Sequence, residues 1–291
     1  MTQPADGGLP EPEGKTMTRP AGDADLLRVE MGVIWRLDGR GRLTGSLDDD
    51  VPPTLVVGVA ADGLAATVAA DVPDDLSAQL LTLIAAASPP PPVLDTTNRP
   101  PLPPTPSTTD TPPPPRALIA DDAHAPPFGE PPTVLERCRA LLGEGLAVSG
   151  GPSYLVCPPI RFDTAARVLR SDDPAHARLV RPLRPGTWAP EEWDELVGGG
   201  AGAPWAMIVE DGQVASLCHS ARRTPEGAEA GVWTAPEFRG RGYAAATTAV
   251  WADLLPGTRL FYSTSAGNRS SQSVAARLGL RCVGWLWKLT R

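Results

Sequence analysis

A glycine-rich turn, Arg239-Gly-Arg-Gly-Tyr-Ala-Ala-Ala246, carries the clearest chemistry in the sequence. An extended segment precedes the turn, and the residues after it follow the spacing of an amphipathic helix. Glycines let a bound group approach the backbone closely, and the free N–H groups of a helix's first turn attract anions. Arg239 and Arg241 add positive charge at the same place. The turn therefore predicts a site for a phosphate or diphosphate.

Two other phosphate-binding motifs fit the turn poorly. Gly240, Gly242 and Ala245 match the dinucleotide pattern G-x-G-x-x-A. That pattern needs an acid at the end of the next strand to bind the ribose, and the strand expected at residues 260–265 contains none. A P-loop needs Gly-Lys-Ser or Gly-Lys-Thr, which does not follow the turn. The sequence therefore disfavours both nicotinamide and nucleoside triphosphate binding.

A second motif lies about thirty residues further along, N-x-x-S-x-x-V-A-x-x-L-G-L over residues 268–280. Together with R-x-x-G-x-A over residues 239–244, it resembles the GNAT superfamily of N-acetyltransferases, in which an acyl-CoA loop precedes this helix motif. The resemblance covers residues 177–291 and is firmest from Trp205 onward. The two-part arrangement is similar to actinobacterial proteins of that family, in which another region precedes a C-terminal GNAT domain.

The resemblance implies coenzyme A chemistry, with acetyl-CoA as donor and no metal. The loop would hold the pyrophosphate, and the strand expected at residues 228–234 would splay from its neighbour to hold the pantetheine arm. A main-chain amide would stabilise the oxyanion. Trp233 either shapes the acceptor pocket or fills the core. The implied cofactor-binding residues are Val232, Trp233, Thr234, Arg239, Gly240, Arg241, Gly242, Tyr243, Ala244, Asn268 and Ser271.

The motifs indicate the catalytic residues less clearly than they indicate the cofactor-binding residues. Glu229 is the first candidate base and His219 the second, with a solvent-exposed carboxylate and a structural histidine as the alternatives. Many members of the family carry a tyrosine seven residues after the motif asparagine as the acid, but this sequence has Ala275 there. The resemblance therefore implies Ser271 as proton donor, with helix capping as its alternative role. Tyr262 is a weaker substitute.

The resemblance implies an α+β protein whose C-terminal part has the three-layer GNAT fold. A mixed, mostly antiparallel central sheet flanked by helices is expected there, preceded by a smaller α+β N-terminal domain. A hairpin with an Asp211-Gly212 turn is the clearest signal. The other predicted elements are strands at 177–183, 228–234, 260–263 and 282–289 and helices from Pro190, after Gly242 and at 269–278.

Composition divides the chain into five segments. Thirteen of the 27 residues from Pro89 to Pro115 are proline, which predicts an extended linker. The N-terminal region between tail and linker predicts a hairpin at 55–68 and a helix from Pro73, with another helix at 134–146 after the linker. The predicted segments are a disordered tail (1–23), an α+β module (24–87), a Pro-rich linker (88–131), a connecting region (132–176) and the GNAT domain (177–291).

Charge and hydropathy limit the kinds of binding partner and the cellular location that can be expected. The formal charge of −8 disfavours nucleic acid, and no apolar stretch has the length of a membrane span or a signal peptide, so a cytoplasmic location is expected. The four cysteines have no metal-site spacing. The acceptor is expected to be a small-molecule or peptide amine, and the oligomeric state is open.

The function predicted is an acyl-CoA-dependent N-acyltransferase that works by direct attack of a primary amine in a ternary complex. Two alternatives belong to other classes of protein. One is a catalytically degenerate GNAT-fold module with a coenzyme A-binding or regulatory role. The other is an interaction protein organised by its proline-rich segment.

Overall fold

The computed structural model describes residues 22–46, 52–87 and 129–291. Nearly all of the predicted tail and most of the predicted linker lie outside these residues. The helices are α1 Asp23–Ile34, α2 Asp74–Ala85, α3 Thr133–Leu142, α4 Pro174–Val180, α5 Pro190–Gly198, α6 Tyr243–Asp253 and α7 Arg269–Arg277. None of these described helices combines the length and apolarity needed to cross a bilayer.

The strands form one large sheet and a short separate hairpin. They are β1 Trp35–Leu37, β2 Leu43–Ser46, β3 Leu55–Ala60, β4 Gly63–Val68, β5 Ala147–Val156, β6 Val168–Arg170, β7 Trp205–Glu210, β8 Gln213–Thr224, β9 Gly227–Thr234, β10 Leu260–Ser263 and β11 Arg281–Thr290. The large sheet has the order β4-β3-β11-β5-β10-β9-β8-β7-β6, and β1 pairs with β2. In the large sheet, β9 and β10 are parallel and the other neighbours are antiparallel. The predicted α+β class with a mixed, mostly antiparallel sheet is confirmed.

The β7–β8 hairpin forms as its pattern predicts. Trp205, Met207 and Leu217 are completely buried on one face of the two strands. Asp211 and Gly212 both have positive φ, 52° and 74°, which is the requirement of the tight turns that join twisted antiparallel strands. The other edge of β8 pairs with β9.

Two predicted elements differ from the structure. The strand prediction at 177–183 is wrong, because these residues continue helix α4 and a short 3-10 turn. The side chain of Asp173 caps this helix by accepting the N–H of Ala175 at 2.8 Å, and Pro174 occupies a first-turn position. The helix expected at 134–146 ends at Leu142, because Gly143 turns the chain with φ of +100°.

The sheet runs through both the N-terminal and the C-terminal parts of the chain. Val57 of β3 pairs with Trp287 of β11, and β5 lies between β10 and β11. Helix α1 and strand β5 were not predicted, although both pack against strands of the C-terminal part. The domain bounds given above stay a prediction, and they do not coincide with a break in the sheet.

Helix α1 buries an acid against the sheet. Glu30 has no exposed surface, and the hydroxyl of Ser153 donates a hydrogen bond to its Oε2 while Oε1 has no partner. Burial, and then the nearby charge of Glu229, raises the pKa of Glu30 well above its ordinary value. Among the described residues, the Cys282 thiol also lies near Glu30, and Glu229 itself pairs with Arg222. The folded state therefore favours the protonated form of Glu30 more than the unfolded state does.

We expect Glu30→Gln to increase the free energy of unfolding by more at pH 8 than at pH 5. The difference between the two increases should be at least about 1 kcal/mol, the scale of a buried polar group without a partner. The folded pKa is raised, so above the ordinary value the unfolded state loses the proton that the folded state keeps. Stability therefore falls as pH rises towards the folded pKa. Glutamine stays neutral and can accept the Ser153 hydroxyl. Urea denaturation at both pH values measures the difference, with exposed Glu191→Gln as the control. An equal difference at both pH values contradicts this prediction.

Candidate functional site

A cavity of about 460 Å³ opens beside the glycine turn, where β9, α6 and α7 meet. Its lining contains most of the residues predicted to bind the cofactor. The lining residues are Val232, Trp233, Thr234, Phe238, Arg239, Gly240, Gly242, Tyr243, Ala244, Ala245, Tyr262, Asn268, Ser270, Ser271, Ser273, Val274 and Arg277. Both sequence motifs therefore meet at one cavity.

Strands β9 and β10 diverge at this cavity. Their parallel pairing is limited to Ala228 with Leu260 and Glu229 with Phe261. Beyond these pairs β9 continues along β8 as far as Thr234, and β10 continues along β5. The edge of β9 that faces β10 is therefore without a strand partner from residue 230 onward. An open strand edge offers backbone donors and acceptors to an extended ligand.

The glycine turn has the backbone that its sequence requires. Gly240 and Gly242 have φ of +81° and +82°, a region that other residues rarely adopt. The first hydrogen bond of α6 runs from Ala246 N to Gly242 O at 3.1 Å. The N–H groups of the three residues between them consequently lie outside the helix ladder. These N–H groups and the positive end of the helix dipole favour an anion at this end of the cavity.

The charged side chains divide between the cavity and its surroundings. Arg239 lines the cavity, and its Nε donates to Thr234 O at 3.4 Å. Arg241 is not among the lining residues, because it pairs with Glu210 at 2.8 Å. Arg277 of α7 lines the cavity and was not predicted. Its spacing of three from Val274, which also lines the cavity, is the sequence signal that could have identified it.

Asn268 and Ser271 at the start of α7 and Tyr262 of β10 are three polar residues that line the cavity. Asn268 caps the helix by accepting the N–H of Ser271 at 3.1 Å, so the capping role expected of Asn268 is present. Tyr262 is 2% exposed, and burial raises its pKa to about 12. Ser271 lies near the Tyr262 phenol, whose pKa it lowers. The sequence ranked Tyr262 low as a proton donor, yet this residue lines the cavity. Ala275 is fully buried.

Glu229 lies outside the cavity lining. It is 4% exposed, so it is not the solvent-exposed carboxylate that was its alternative reading. Its carboxylate accepts a hydrogen bond from Arg222 at 2.6 Å and another from the Ser263 hydroxyl. These partners and helix α1 hold Glu229 in a buried polar cluster at the point where β9 and β10 separate.

His219 approaches β9 from the sheet face opposite α6. Its neighbour Ser220 faces α6, since it accepts a hydrogen bond from the indole of Trp251 at 3.1 Å. Alternation along β8 directs His219 to the other face, where Trp188 contacts it edge-on with ring centroids 5.2 Å apart. His219 is half-buried.

Trp233 packs against two core clusters as well as lining the cavity.

The divergent parallel strands and the exposed N–H groups at the start of α6 form a cleft that can hold an extended ligand with an anionic group. Residues 161–281 match the family model of the Acetyltransferase (GNAT) domain, which agrees with a C-terminal GNAT domain. No curated protein matches the chain. Among the described residues there is no cluster of metal-ligating side chains.

Several solved structures similar to the chain are described as GNAT proteins. A GNAT-family protein from Novosphingobium aromaticivorans is 25% identical with a TM-score of 0.36, and the match covers 50% of this chain and 66% of that one. An acetyltransferase from Colwellia psychrerythraea is 14% identical with a TM-score of 0.38, covering 55% and 63%. A GCN5-related N-acetyltransferase from Sphaerobacter thermophilus is 18% identical with a TM-score of 0.38, covering 54% and 55%. The chain spans less than two thirds of the length of each.

Proposed function

We propose that the protein is an N-acyltransferase that moves the acetyl group of acetyl-CoA to a primary amine by direct attack in a ternary complex. The observation that carries the proposal is the cavity itself. It joins the free N–H groups at the start of α6 to the open edge of β9. These are the two features that a diphosphate and an extended amide-containing arm require.

The donor is proposed to lie along the cavity from α6 to β10. Its diphosphate contacts the N–H groups that follow Gly242, with Arg239 and Arg277 supplying charge. The pantetheine arm follows β9 past Val232. This arrangement places the thioester near Tyr262, where β9 and β10 separate.

The reaction needs a group for each of two protons. The neutral amine nitrogen attacks the thioester carbon, the C–N bond forms, and the C–S bond breaks. His219 is proposed to take the proton of the incoming ammonium, because it is half-buried and lies beside the open part of β9. The departing thiolate accepts a hydrogen bond from Tyr262. The second amine proton then protonates its sulfur and gives free coenzyme A. Glu229 is proposed to orient this end of β9 through its ion pair with Arg222.

Calorimetric titration with acetyl-CoA, followed by a thiol-release screen against a panel of amines, tests the proposal. Binding and thiol release that depends on the amine are expected. A chain that does not bind acetyl-CoA at millimolar concentration excludes the proposed function. Binding without release for any amine favours a degenerate GNAT module, to which the buried Ala275 in place of the usual tyrosine also points.

A further inference from the structure

Gly231 of β9 lies directly opposite His219 of β8 in the antiparallel register. A Cβ at position 231 would stand 2.5 Å from His219 Nε2 and 3.0 Å from its Cδ2. The same Cβ would stand 2.8 Å from the Cβ of Ala221, which follows His219 at a β-bulge. Gly231 is not among the glycines with positive φ. The backbone therefore does not require glycine at 231, whereas the positions of the imidazole and of the Ala221 methyl group do.

A second glycine borders the other ring nitrogen. Gly202 has φ of +84°, and a Cβ there would stand 3.3 Å from His219 Nδ1 and 3.0 Å from a methyl group of Leu196. Trp188 covers a third side of the ring. These three residues hold the imidazole between two backbone segments while leaving it half-exposed.

Gly231 and the His219 ring lie next to the strand residues that line the cavity. Gly231 is two residues beyond Glu229, the last residue of β9 that pairs with β10. It immediately precedes Val232, which lines the cavity. The imidazole therefore lies against the unpaired part of β9, on the face opposite the one that α6 covers. An amine that approached the thioester from that face would meet His219 Nε2.

We propose that Gly231 is a positioning residue, whose missing side chain lets His219 Nε2 reach the open part of β9 and take a proton from the acceptor ammonium. This inference rests on the proposed acyltransferase function. The ammonium loses one proton to the neutral imidazole, which passes it to solvent. The resulting amine forms the C–N bond as the C–S bond breaks, and its second proton converts the thiolate to free coenzyme A.

A double-mutant cycle tests the role of Gly231 through His219. Gly231→Ala is expected to lower kcat about tenfold and to leave the acetyl-CoA Kd within twofold of wild type. His219→Ala is expected to lower kcat by a similar factor. The double variant is expected to be no slower than His219→Ala, since a residue that acts through another adds nothing once that residue is gone. Gly186→Ala is the control, because a Cβ there has no neighbour within 4 Å and its φ is not positive.

The inference is overturned if Gly231→Ala keeps the wild-type kcat, or if the kcat loss of the double variant is the product of the two single losses. Neither result affects the proposed acyltransferase function. Histidine ring NMR provides a readout that needs no acceptor. The His219 ring signals, assigned with His219→Gln, are expected to shift when acetyl-CoA saturates the wild-type protein, and to shift much less in Gly231→Ala. An unshifted wild-type signal in protein that binds acetyl-CoA overturns the inference. Failure to bind acetyl-CoA overturns the proposed function itself.

Discussion

Gly242→Val is expected to raise the Kd for acetyl-CoA at least 100-fold. Gly242 has φ of +82°, a conformation that costs a residue with a Cβ roughly 1 to 2 kcal/mol. A Cβ there would also stand 3.2 Å from the ring of Phe162, and the valine methyl groups extend further. Relieving this contact moves the turn and the N–H groups that follow it. A combined loss of about 2.7 kcal/mol corresponds to the 100-fold change.

Gly212→Val provides the matched control for strain. Gly212 has φ of +74° in the β7–β8 turn, and a Cβ there has no neighbour within 4 Å. It shares the unfavourable backbone conformation but lies outside the cavity lining. Calorimetry should give Gly212→Val the wild-type affinity, with circular dichroism showing that both variants are folded. If Gly242→Val keeps its affinity, the diphosphate does not lie at this turn.

The sequence predicted the elements whose signals are local. The β7–β8 hairpin follows from Asp211-Gly212 between two apolar runs, and α5 follows from Pro190 at its start and Gly199 just beyond its end, which adopts φ of +88°. The phosphate turn is equally local, since glycines between a strand and a helix determine which N–H groups are exposed. Such features depend on neighbours in the chain, so a single sequence contains them.

Strand β5 depends instead on distant neighbours. Its centre reads Ser-Gly-Gly-Pro-Ser over residues 149–153, a composition typical of a loop. The sheet needs those small residues, because a Cβ at Gly151 would stand 1.8 Å from Thr264 O and one at Gly150 would stand 2.5 Å from the ring of Trp287. Strand propensity reflects such surroundings more than the residues themselves, so sequence reasoning missed β5.

The catalytic groups could not be ranked from the sequence, because their roles depend on sheet face and burial. Glu229 and His219 both lie on strands next to the cleft, yet helix α1 from the far end of the chain buries the first and leaves the second half-exposed. Arg241 lies inside the motif, but Glu210 draws its side chain away. The motif determined the backbone of the site and left the directions of its side chains to tertiary contacts.

Tyr262→Phe is expected to lower kcat about 100-fold and to change the acetyl-CoA Kd less than threefold. Tyr262 and Ser271 both line the cavity, and a pKa of about 12 keeps the Tyr262 phenol protonated throughout the physiological range. A thiol has an ordinary pKa of about 8.5, so a departing thiolate is too weak a base to remove this proton fully. The phenol therefore acts by donating a hydrogen bond to the charge that develops on sulfur, and loss of one such donor costs about 100-fold.

Tyr154→Phe is the matched control for this change. Tyr154 pairs with Tyr262 across β5 and β10, and their ring centroids are 6.4 Å apart. Its pKa is likewise raised to about 12 by burial, yet it does not line the cavity. Steady-state kinetics should show wild-type kcat for Tyr154→Phe, and the Tyr262→Phe deficit should be the same at pH 7 and pH 9, because the phenol does not titrate between them. A deficit shared by both variants would place the effect in ring packing, and full activity of Tyr262→Phe would remove the phenol from the reaction.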